Sequence, residues 1–284
     1  MTTNRKQLYH NFFMEQVEIS PSINDGLNMP EFEHLKNKME NPYSKCHIEK
    51  ETVFYKKYLK LMESIPKTQQ TLHDKILKDL CSTYLESLKY DFDCFPLNPL
   101  DNDLTAIVED VSGNGNFIFS KKKDYEAYLN KLDSFPEMVD SMIANMRKGI
   151  NTKNVLPKII AVDLKKQLSK ALSNKSWINT NSTKYPSLNY NKTCTVIFET
   201  EFTKMIHFLN KEYIPKCRTS IGMLALPDGK EKYEFLVKVM LTEHNISVDY
   251  IHQFGLLEVE RIHKEMKQIQ DVLQYKGTRK QFFN

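Results

Sequence analysis

The chemistry open to this chain rests on eight histidines, five cysteines and thirty-six acidic residues. A metallopeptidase helix sets two histidines four residues apart so that both imidazoles face one metal, with a glutamate beside the first to activate water. The sequence contains no HExxH. Its nearest pairings are Asp249 with His252, Glu260 with His263 and Glu201 with His207, and none has a third ligand at helical spacing. His252 falls on an apolar helical face, where a histidine is more often packed and held by one partner than used as a ligand or base. There is no GxSxG elbow and no cysteine-protease pattern, so nucleophilic catalysis has no support. Gly113 and Gly115, in SGNGN, lack the third glycine and the Lys-Ser/Thr pair of a phosphate loop and predict a turn.

The cysteines, Cys46, Cys81, Cys94, Cys194 and Cys217, are odd in number and scattered, which points to a reducing compartment. The opening MTTNRKQLYHNFF lacks the apolar core of a signal peptide, and no stretch approaches a membrane span. The expectation is a cytoplasmic protein with no membrane partner, in which the glycosylation patterns at Asn174, Asn181 and Asn191 arise by chance. Forty basic against 36 acidic residues give a net charge of +4, but the charges are interspersed along helical faces and do not form a nucleic-acid patch. Lys121 to Lys123 run directly into Asp124 and Glu126, as a solvated helix start does.

The elements that must position any site are helices, because apolar residues recur at helical spacing in almost every long segment. The expected fold class is all-α, with at most a minor β element near Gly222 to Leu226. Phe54, Tyr58, Leu61, Met62 and Ile65 form one stripe, and Leu72, Ile76, Leu80, Tyr84 and Leu88 the next, which predicts a helical hairpin. Pro, Asp, Asn and Gly crowd residues 91–119, and polar residues fill 173–192, so both read as loops. Between them, Pro136 starts a helix carrying Val139, Met142, Ile143 and Met146, and Pro157 suits the first turn of another. Pro227, Asp228 and Gly229 make a turn. Ser247 is a helix N-cap with Asp249 in the first turn, leading a stripe of His252, Gly255, Val259, Ile262, Met266 and Ile269.

From Glu212 to Ile269 the sequence carries a specific pattern at Tyr213, Ile214, Pro215, Arg218, Gly222, Leu226, Pro227, Gly229, Tyr233, His252, Gly255, Glu258, Val259, Arg261, Ile262, Glu265 and Met266. In these positions it resembles the family called domain of unknown function 885. A second block, Tyr128 to Leu168, resembles the same family at Arg147, Gly149 and Pro157. The first 120 residues match more loosely.

The resemblance implies the N-terminal half of a gluzincin-like helical peptidase fold, with the HExxH helix and its downstream glutamate in the C-terminal half. This sequence stops at Lys276 to Asn284, before that helix. The resemblance therefore implies a single helical region over residues 1–284, no cofactor held by this chain, and no peptidase activity in isolation. A C-terminal-half protein or self-association would supply the partner, and peptide would be a substrate only of the completed enzyme. A non-catalytic binding module is the alternative. Arg218, Asp228, Tyr233 and His252 are expected to gather beside the cleft of a complete member.

Overall fold

The computed structural model describes residues 2–97, 103–241 and 246–283. Of the described residues 75% are helical, and none lies in a strand or sheet. The expected β element near Gly222 is a 3-10 turn, Met223–Ala225, and an isolated parallel bridge joins Pro157 to Arg218. No described helix is long and apolar enough to cross a membrane.

The chain folds as two compact units, Met1–Pro227 and Asp228–Asn284. The first unit opens with α1 (Thr2–Ile19), α2 (Ile23–Leu27), α3 (Lys45–Glu63) and α4 (Leu72–Ser87). α3 and α4 form the predicted hairpin. Ser44 caps α3 by accepting from the His47 amide at 3.1 Å, and Thr71 and Asp74 close a reciprocal capping box on α4. The buried face of α4 differs from the predicted stripe. Leu72, Ile76, Leu80 and Leu88 are exposed, while Leu77 and Cys81 turn inward against Phe12, Phe54 and Tyr58, and Tyr84 of the predicted stripe stacks on Tyr55 at 4.2 Å.

The larger core of this unit is built by α5 (Asp103–Ser112), α6 (Lys122–Leu132), α7 (Phe135–Thr152), α8 (Lys158–Asn174) and α9 (Tyr190–Phe208). α5 corrects the loop expected over 91–119: its Leu104, Ile107, Val108 and Val111 are buried in spite of the turn-forming residues on either side. The stretch 173–192 does lack a long helix, but it is not a solvated loop. Trp177 is fully buried, stacks on Phe198 at 5.2 Å and donates to Thr195 Oγ1 at 3.0 Å. Asn179 is buried as well, donating its side-chain amide to Val111 O at 3.1 Å. Gly113 takes a left-handed φ of 84° beside Asn179, and Asp110 Oδ1 accepts from the Asn116 and Phe117 amides, so SGNGN is a braced turn.

The second unit holds α10 (Gly229–Leu241), α11 (Val248–Val272) and α12 (Arg279–Phe282). Asp228, at a left-handed φ of 51°, makes the predicted turn and accepts from the Lys232 amide to start α10. Ser247 caps α11 as its sequence predicts, accepting from the Tyr250 amide at 3.1 Å.

Candidate functional site

Five of the singled-out residues belong to one small construction in the first unit. α7 ends at Lys153, in left-handed conformation, and the chain reverses through Asn154, Val155 and Leu156 into α8. Gly149 faces that reversal closely: a Cβ there would lie 2.4 Å from Asn154 O and 3.2 Å from the Cys94 Cβ. α9 runs into a π-type turn, Leu209–Tyr213, whose buried Tyr213 hydroxyl accepts from the Leu156 amide at 3.0 Å. Five residues on, the Lys158 amide donates to Arg218 O at 2.8 Å, and Pro157 sits buried at the bridge. Pro157 precedes α8 as its N-cap residue and is not inside the first turn.

The Arg218 guanidinium completes the construction. Its Nε donates to Val155 O at 3.0 Å, and its Nη1 donates to Ser220 O and Gly222 O, each at 2.7 Å. Three carbonyls from two segments are thus held by one planar cation, a use for which its fixed fork suits arginine better than lysine. Burial lowers the Arg218 pKa from its ordinary value. Arg147, one turn and a half up α7, makes a two-point ion pair with Glu212 at 2.8 Å for each bond and lies 5.3 Å over the Phe208 ring. The hydrogen bond to Arg147 is the main cause of the lowered Glu212 pKa.

Each of these groups is engaged with backbone or an ion-pair partner. Burial pushes the thiols of Cys81, Cys94 and Cys217 up to about 11 and that of Cys194 to about 12, which leaves them protonated and inert near neutrality. No group of three or more His, Cys, Asp or Glu side chains is placed to hold a metal ion among the described residues. Asp249 with His252, Glu260 with His263, and Glu201 with His207 therefore gain no third ligand from the fold, and the described residues do not fit a zinc site.

In the second unit the singled-out residues are mostly exposed. Asp228, Tyr233 and His252 face solvent, and His252 is not the packed histidine its helical stripe suggested. Gly229 is buried. Gly255 has open space around it, with nothing within 4 Å of a Cβ built there. Arg261 pairs along the helix with Glu258 at 2.8 Å and Glu265 at 2.7 Å. Exposed pairs at this spacing are a solvated ladder and contribute little. Pro227, the last residue of the first unit, is exposed.

Two cavities of the first unit had no signal in the sequence. One, of about 570 Å³, has an apolar floor of Leu104, Val108, Leu164 and Phe202, with Gln167 and Lys170 at its rim. The other, of about 250 Å³, is bordered by Asp25, Glu40, Asp110, Tyr128 and Lys131. Asp25 and Lys131 form a buried ion pair. Burial is the chief reason the Asp25 carboxyl is pushed up to about 6, with the nearby Asp110 and Glu40 adding to the effect against the pull of Lys131. The two residues are 106 positions apart, a separation that periodicity does not reach.

No curated protein matches this sequence. A crystal structure described as "the putative lipoprotein from Colwellia psychrerythraea" is similar in fold, with a TM-score of 0.69 and 14% identity over 94% of this chain and 52% of the other. This chain therefore spans about half the length of that structure. A family model described as "Bacterial protein of unknown function (DUF885)" matches residues 26–284. The chain belongs to the DUF885 family.

Proposed function

We propose that these residues form a non-catalytic, structure-bearing portion of a larger DUF885 fold, and that alone they neither hold zinc nor hydrolyse peptides. The observation that carries this reading is the use to which Gly149, Pro157, Arg218 and Gly222 are put: each is committed to closing backbone between α7, α8 and the 213–222 segment. An arginine whose Nε and Nη1 are given to three backbone carbonyls orders a wall of the fold. The half-length match to the Colwellia structure supports the same reading.

A second reading rests on the sequence resemblance: the region is one half of a metallopeptidase, completed by a polypeptide that carries HExxH. Under either reading peptide is a substrate only of the completed fold. Residence in a reducing compartment belongs to the proposal too, supported by five cysteines of which none is bridged.

The test is to load the purified chain with zinc, desalt it, measure bound metal, and incubate it with a mixed-peptide digest. The expected outcome is no stoichiometric zinc and no cleavage. One tightly held zinc per chain with chelator-sensitive cleavage would end the non-catalytic reading.

A further inference from the structure

α11 is 25 residues long, roughly 37 Å at the usual helical rise, and few of its side chains are covered. In its first half Tyr250, Phe254, Leu256, Leu257 and Val259 are all exposed. Farther along, the apolar positions narrow to one seam: His252, Gly255, Val259, Ile262, Met266, Ile269 and Leu273 are separated alternately by three and four residues. That spacing is the heptad repeat, whose partner is another helix crossing at about 20°. Val259, Ile262 and Ile269 are 52%, 39% and 55% exposed.

Gly255 is the most informative position. A glycine in a helix interior costs about 1 kcal/mol relative to alanine, and here no neighbour offsets that cost. A helix crossing at this point would, because the missing side chain permits close backbone approach. Glu258 and Glu265 flank the seam on one side. A second copy packed antiparallel would set these acidic flanks against each other, like against like, which disfavours self-pairing. The fold itself supplies another occupant, since nearly half of the Colwellia structure lies outside what this chain spans.

We propose that the seam from His252 to Leu273 is the docking surface for an amphipathic helix from the part of the family fold that this chain does not span, with closest approach at Gly255. This rests on the reading that the chain is one portion of a larger fold. The probe is the uncovered portion of the Colwellia protein, expressed separately and mixed with three folded forms of this chain: wild type, Val259→Asp/Ile262→Asp, and an Ile76→Asp control on the exposed face of α4. Sedimentation velocity should show a 1:1 complex with wild type and with the control, weakened at least tenfold by the seam substitutions. A fusion of the same two polypeptides through a flexible linker makes docking intramolecular, and amide exchange across residues 248–272 should then slow in wild type but not in the seam variant. Three results would overturn the proposal: no complex and no slowing with folded wild type, binding indifferent to the seam substitutions, or a wild-type homodimer that those substitutions dissolve. Zinc binding and cleavage by the chain alone would end the non-catalytic reading without touching this one, whereas an inactive chain that fails to dock would end this one alone.

Discussion

Gly149 and Gly255 stand in helices of one chain, both at positions of the DUF885 pattern, yet a methyl group means opposite things at the two. At Gly149 it would collide with the Asn154 carbonyl, and at Gly255 it would meet nothing. The difference runs through everything around them. Near Gly149 the arginine is wrapped by three carbonyls and the tyrosine hydroxyl caps a backbone amide. Near Gly255 the arginine pairs only with glutamates of its own helix, and the apolar side chains face solvent. One region is closed by the residues around it; the other is left exposed by the described residues. The two glycines thus stand in different surroundings, one in closely packed backbone and one on an exposed helix face.

The comparison can be broken first with charge. Lys131→Met strands the buried Asp25 carboxylate and should cost about 3–5 kcal/mol at neutral pH, the usual penalty for unpairing a buried ion. Arg261→Ala, on the exposed ladder of α11, should leave the unfolding midpoint unchanged. The first effect should depend on pH in a definite direction. The folded-state pKa of Asp25 is raised from 3.8 to about 6, so its ionisation opposes folding; the contribution is fully favourable below 3.8 and is lost as pH rises through about 6. Removing Lys131 raises that pKa further. The deficit of the variant should therefore shrink as pH falls through about 6 toward 3.8, as urea titrations at a series of pH values would show.

Arg218→Ala removes a charged donor from the carbonyls of Val155, Ser220 and Gly222 and should cost about 2–3 kcal/mol. Arg218→Lys should recover only part of it, because a single ammonium cannot reproduce the planar fork. The glycines give the smallest effects and the sharpest contrast. Gly149→Ala should destabilise by about 1–3 kcal/mol through overpacking. Gly255→Ala should stabilise by about 0.5–1 kcal/mol through helix propensity and reduced freedom of the unfolded chain. Opposite signs in thermal melts support the contrast, and equal signs remove it.

Features governed by neighbouring residues were legible in the sequence. The Ser247 cap, the turn at Asp228, the α3/α4 hairpin and the buried Val139, Met142, Ile143 and Met146 of α7 all follow from local spacing. Features decided at a distance were not. α5 is ten residues of sound helix hidden among prolines, asparagines and glycines, and its burial depends on the core formed by α6 to α9. Trp177 lies in a polar stretch whose composition says loop, yet the loop is folded down onto Phe198. The outward row of α4 was more regular than the row that packs. Of the site, the pattern singled out positions but not what they contact: Arg218 gives no hint in sequence that its partners are backbone carbonyls, since every residue supplies one. His252 shows the converse, because a stripe reveals a face without showing whether anything in the chain covers it.

Amide hydrogen exchange on the purified chain tests the central contrast most directly, since it reads both regions in one experiment. The amides of Leu156 and Lys158, closed onto Tyr213 and Arg218, should exchange near the rate set by global unfolding, while amides across Val259 to Ile269 should exchange orders of magnitude faster. Equal, strong protection of both regions in the isolated chain would contradict the account, because α11 would then be stabilised without the partner its exposed seam calls for.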